Sequence, residues 1–176
     1  MSDPTRSSSK TPDAGAAAAT PRAAAANASA GASTSAGPGA YEQERRQKLQ
    51  KLRGLGVDPF GGRTFGLSPL AQAKTSYKPE MGHDGGPTVK VAGRVVLKRD
   101  MGKLTFLTLR DETDDLQVAL DKRRLDERSW EVRGNVDLGD ILVAEGPLGT
   151  TKTGEVTVWA NHVDMAAKAL LPPPAK

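Results

Sequence analysis

Three side chains in the stretch 95–120, "VVLKRDMGKLTFLTLRDETDDLQVAL", are suited to holding a flat polar ring: Arg99, Phe106 and Gln117. If Leu107 and Leu109 face a core, alternation puts Phe106 on the opposite face with Thr108 and Arg110. A phenyl ring left on a wet face offers a π-surface for stacking. An amide presents a donor and an acceptor to one edge of a ring, and a guanidinium adds positive charge. By the same count Gln117 points outward between Leu116 and Val118, and Arg99 closes a strand just before the turn Met101-Gly102-Lys103. The competing reading is a ring that caps the mouth of a core beneath a loop.

Little else in the chain could do chemistry. The absence of cysteine removes disulfides, thiolate nucleophiles and Cys-ligated zinc. His83 and His162 are far apart and lack an evident third ligand, so no metal site is expected; they read as a loop histidine and a strand-end histidine. No Walker A loop is present, and neither a catalytic residue nor a cofactor is expected. A net charge of +4 and a pI near 9.4 lean mildly towards a polyanionic partner. No apolar run reaches the ~18 residues of a membrane span. The N-terminus lacks the apolar region of a secretory signal. The expected location is cytoplasmic, with no membrane contact.

The elements that would position those side chains begin at Val89, where the period becomes two. Val89, Val91, Val95 and Leu97 alternate with Lys90, Arg94 and Lys98; Leu107 and Leu109, then Leu116, Val118 and Leu120, continue the pattern. Leu125, Ser129, Val132 and Val136 recur at helical spacing, and "DILVAEGPL" and "GEVTVWANHV" supply two more strands. Five strands with one short helix between the third and fourth is the order of a Greek-key OB-fold barrel. Gly93 and Gly146 suit the bends of its strands. The expected core is Val91, Val95, Leu107, Leu109, Leu116, Val118, Val156 and Val158. Such folds bind oligonucleotides on the face of strands two and three, where Arg99, Phe106 and Gln117 fall.

Ahead of the barrel (residues 89–166) lie three other parts. Residues 1–40 are almost wholly Ala, Ser, Thr, Gly and Pro and read as a disordered tail. Residues 41–56 read as a basic helix stopped by glycines, with a narrow stripe of Leu49, Leu52 and Leu55. Its Arg45, Arg46 and Lys48 are either a solvated face or phosphate contacts. Residues 57–88 read as a loop, and 167–176 as a shortened linker.

"VAGRVVLKRDMGKLTFLTLRDETDDLQVAL", "DLGDILVAEGPLGTTKTGEVTV" and "MAAKALLPPPAK" resemble the anticodon-binding domain of class II lysyl-tRNA synthetases, and "RRQKLQKLRGLGVDPF" resembles the segment before it. The resemblance covers residues 41–176. It implies that Phe106 stacks on the central anticodon uridine, that Gln117 hydrogen-bonds that base and that Arg99 contacts the anticodon. It further implies that Glu155 lies near the third anticodon base, with Lys152 a phosphate contact nearby. Two departures stand out: residues 61–87 lack the usual lead into strand one, and Trp159 replaces a commonly polar or basic residue. The catalytic motifs of the class are also missing from these 176 residues. The expectation is therefore a module binding the anticodon loop of a lysine tRNA, not catalytic by itself. One alternative is a fragment or subunit of a lysine–tRNA ligase, alongside a catalytic domain and able to form a homodimer. The other is a general binder of single strands.

Overall fold

The computed structural model describes residues 38–83 and 85–173. The tail expected over 1–40 lies outside them except for 38–40, which open helix α1 (Pro38–Gly54). The OB portion comprises β1 (Thr88–Asp100), β2 (Leu104–Arg110), β3 (Asp115–Asp121), α3 (Glu127–Gly134), β4 (Ile141–Thr150), β5 (Val156–Trp159) and β6 (His162–Ala167). A helix α2 (Leu70–Ser76) precedes it. Neighbouring strands run in the order β1-β2-β3-β5-β4-β6, and β4 pairs with β1 as well. The long strand β1 makes this possible. Its first half pairs with β4, from Thr88 to Arg94, and its second half with β2, from Arg94 to Asp100. The helix falls between the third and fourth strands, as the pattern predicts.

Alternation sets the core. Val91, Val95, Leu107, Leu109, Leu116, Val118 and Val158 are all buried, and Val156 is partly buried against them. Each fully buried Val or Leu contributes about 1.5–3 kcal/mol relative to exposure. α3 adds Val132, and its N-cap Asp126 accepts from the Ser129 backbone N–H.

Four expectations are corrected. First, the segment 57–88 is not all loop, because α2 buries Leu70 and Ala73. The Asp111 carboxylate accepts from the Leu70 N–H at 2.9 Å, and Thr113 Oγ1 accepts from the Ala71 N–H at 3.1 Å. A loop distant in sequence thus caps a helix that has no cap of its own. Second, "GEVTVWANHV" is not one strand. β5 ends at Trp159, and β6 starts at His162 and crosses to pair with β4. Gly146 permits the crossing, since a Cβ there would collide with the Trp159 carbonyl. Third, Leu97 is not inward. The β1–β2 register shifts between Val95 and Leu97, and that bulge turns Leu97 to the surface. Fourth, the expected linker at 167–176 is partly structural, because Lys168 is buried.

Candidate nucleic-acid interface

Cross-strand register puts the sequence-picked residues in two adjacent rows. Arg99 faces Phe106, Phe106 faces Ala119, and Ala119 faces Trp159; beside them run Leu97, Thr108, Gln117 and Thr157. Paired residues share a face of a sheet, so both rows lie on the side opposite the core leucines. The turn between β4 and β5 rises over this face. Together they enclose a groove of about 370 Å³ lined by Arg99, Phe106, Gln117, Lys152, Glu155 and Trp159, with His83, Met101, Leu104, Thr151 and Thr153.

Phe106 is half-buried in this groove, and Arg99, Lys152 and Glu155 are exposed. Gln117 is on the expected face but is not wet, retaining 8% exposure. Its Nε2 donates to Glu155 Oε2 at 3.0 Å, and its Oε1 accepts from Thr157 Oγ1 at 2.9 Å. A carboxylate can only accept, so Glu155 fixes which end of the amide is which. One N–H and one oxygen lone pair of the amide stay unused. That pair of groups matches a ring edge presenting an acceptor beside a donor.

Trp159 likewise faces outward in register but keeps only 8% exposure. The His83 ring lies 4.7 Å from it, tilted by 59°, and the Arg124 guanidinium lies 5.6 Å from its centroid. Its indole N–H is buried without an acceptor among the described residues. From sequence alone His83 is a plain loop residue. Nothing local distinguishes it, since only the fold brings the loop before β1 over the end of β5. Met101 and Leu104 were also missed, although their places beside the Gly102 turn, next to Arg99, were a usable signal.

α1 is arranged differently. Arg45 is buried and donates to the carbonyls of Leu138 and Ala169 at 3.0 and 2.9 Å. Lys48 reaches Asp137 at 2.6 Å and Glu44 at 2.8 Å. Burial pulls the Lys48 pKa down, but those carboxylates more than offset it and hold the ammonium above its ordinary value. Both cations thus help dock the helix, with Arg45 enclosed and Lys48 partly so. Arg46 stays exposed, paired with Glu42 at 2.7 Å. None of the three lines the groove. The leucine stripe completes the docking, with Leu49 and Leu52 buried.

The described residues contain no group of acidic or histidine side chains able to hold a metal ion. No helix among them is long and apolar enough to cross a membrane.

A groove across β1, β2 and β3, walled by the β4–β5 turn and floored by an aromatic ring, defines an oligonucleotide-binding OB domain. Residues 89–166 match the tRNA anticodon-binding family, described as "OB-fold nucleic acid binding domain". The particular likeness is to lysine–tRNA ligases. The chain is 37% identical over 135 residues to "Lysine--tRNA ligase" of Streptococcus pneumoniae (strain Hungary19A-6), covering 75% of this chain and 27% of that protein. The enzyme of the same name from Streptococcus gordonii is 36% identical over 136 residues, with the same coverage. That of Dehalococcoides mccartyi (strain ATCC BAA-2266 / KCTC 15142 / 195) is 34% identical over 136 residues, covering 76% of this chain and 27% of the relative. The chain thus spans about a quarter of the length of these relatives and matches their N-terminal domain.

Proposed function

We propose that this domain reads the anticodon loop of a lysine tRNA. The observation that carries the proposal is the gathering of Arg99, Phe106, Gln117, Lys152 and Glu155 in one groove. A splayed-out central base stacks on Phe106, and the spare donor and acceptor of Gln117 meet its edge. Uracil suits that edge, offering a ring N–H next to a carbonyl oxygen. Arg99 and Lys152 supply charge for the neighbouring nucleotides, and of Arg45, Arg46 and Lys48 it is Arg46 that stays exposed to meet a phosphate. Glu155 holds the amide in its reading orientation and borders the site of the next base.

Titration with a hairpin carrying the lysine anticodon loop tests this. Replacing the central uridine by cytidine should weaken binding strongly, whereas changing the acceptor stem of the whole tRNA should not. Equal losses from both changes would sink it. Binding of a poly-pyrimidine strand as tight as that of the hairpin would instead establish general single-strand binding.

The ligase reading rests on the relatives' names. Joining lysine to tRNA needs catalytic motifs that these 176 residues lack, so the chain's contribution to such a reaction is recognition, performed in the cytoplasm alongside a catalytic domain. Pairing of two copies, as in that family, would show in sedimentation equilibrium.

A further inference from the structure

We propose that Lys103, Lys122 and Arg123 form a basic ledge that grips RNA phosphates next to the base held on Phe106, a proposal that rests on the groove reading above. The Lys122 backbone N–H donates to the Lys103 carbonyl at 2.9 Å. That bond clamps the β1–β2 turn against the chain leaving β3 and puts Lys103, Lys122 and Arg123 on adjoining stretches of backbone. All three residues are exposed, the Arg123 side chain by 86%.

The ledge is continuous with the groove. Met101 and Leu104, on either side of the turn that holds Lys103, line it. Lys122 follows Asp121, the cross-strand partner of Leu104, and Ala119, two positions earlier, is the partner of Phe106. At ~3.3 Å per residue the ledge starts about 10 Å along the strand from the stacking platform. That span equals about three stacked nucleotides at ~3.4 Å each. An RNA strand laid in the groove therefore brings its next phosphates over these cations.

Local acids offset only part of the charge. Asp100 is bound to Arg133. Asp121 pairs with Arg123 at 2.7 Å, and it also accepts from the Arg123 backbone N–H. Asp121 is buried and engages Nε and one Nη of Arg123, while the exposed side chain leaves its other Nη group to meet a phosphate. Lys122 lies with its ammonium 5.7 Å from the Trp130 ring centroid, which braces the side chain while leaving the residue exposed.

The test is the salt dependence of binding to the lysine anticodon hairpin. The triple variant Lys103→Gln, Lys122→Gln, Arg123→Gln should flatten the slope of log K against log salt by about 2, at ~0.7 per lost phosphate contact. Lys103→Gln and Lys122→Gln alone, which leave Asp121 its partner, should each remove about 0.7. A charge-matched control, Lys51→Gln, Arg53→Gln, Arg63→Gln, should leave the slope unchanged. Unaltered melting temperatures would show that all variants fold. Equal flattening by ledge and control, or none by the ledge variants while Phe106→Ala still weakens binding, would overturn the ledge alone. A wild-type chain that fails to bind the hairpin would overturn the groove reading and the ledge with it.

Discussion

Phe106 and Gln117 share one face of the sheet but are held in different ways. Phe106 has a half-buried ring over the inert Ala119. Its replacement by Ala should cost about 1–3 kcal/mol of RNA affinity, the worth of one stacked base. Folding stability should fall by much less than the about 3–5 kcal/mol lost when a core Phe is truncated. Measuring the melting temperature and the dissociation constant on the same variant separates these outcomes. A large drop in melting temperature with unchanged affinity per folded molecule would make Phe106 a packing residue. Gln117 is held by partners at both ends of its amide. In Glu155→Gln the neighbour can donate as well as accept, so the Gln117 amide can turn over. Discrimination between uridine and cytidine hairpins should then shrink several-fold while the melting temperature stays put. Undiminished discrimination would relieve Glu155 of the positioning role.

At the scale of elements, α2 shows how a tertiary contact substitutes for local signals. No residue of its own sequence caps it; the capping oxygens come from Asp111 and Thr113. Burial works against ionising Asp111, but the N–H groups of Leu70, Thr113 and Asp114 and the Thr113 hydroxyl outweigh it and hold the carboxyl down at about 2. A depressed carboxyl stabilises the fold above its unfolded pKa, ~3.9, and that help is lost as pH falls through about 2. Asp111→Asn should therefore cost about 1 kcal/mol at neutral pH, since both oxygens accept hydrogen bonds and the amide nitrogen put in place of one cannot. The difference in stability between variant and wild type should close as pH drops from 4 towards 2. Denaturant unfolding at each pH provides the measurement. A gap constant with pH would mean that the charge of Asp111 does not matter to α2.

Across the whole molecule, α1, the corner before β4 and the chain after β6 meet at one ionic joint. Lys168 is fully buried and reaches Asp140 at 2.8 Å and Asp137 at 2.6 Å, and Lys48 of α1 shares Asp137. Burial raises the Asp137 pKa, yet the two lysines outweigh it and keep the carboxylate below its ordinary range. Asp140 also accepts from the backbone N–H groups of Asp137 and Ala169. Lys168→Met should cost about 3–5 kcal/mol, because it strands a buried carboxylate. The double variant Lys168→Met, Asp140→Asn should recover part of that loss, since both charges leave together. Thermal or denaturant unfolding would show it, and a double variant no better than the single would mean the charges are not coupled. "LGDI" and "AKAL", among the motifs that carry the family resemblance, are thus occupied with folding rather than with RNA.

Periodicity in the sequence was enough to determine the first four strands, most of their inward leucines and valines, and the face carrying Arg99, Phe106 and Gln117. Side-chain direction in a strand has a period of two, so a few apolar residues define both faces. The order of elements likewise revealed the helix between the third and fourth strands. Only the tertiary structure decided how wet that face is and which cations remain on the surface. Gln117 and Trp159 were placed by alternation, but their covers, Glu155 and His83, arrive from elsewhere in the chain. Arg45 and Lys48 look like any basic helix face until Leu138, Ala169 and Asp137 are brought beneath them. Leu97 followed the alternating pattern until one bulge reversed it. Local pattern reports which way a side chain leaves its own backbone, and burial and charge pairing depend on what the rest of the fold lays over it.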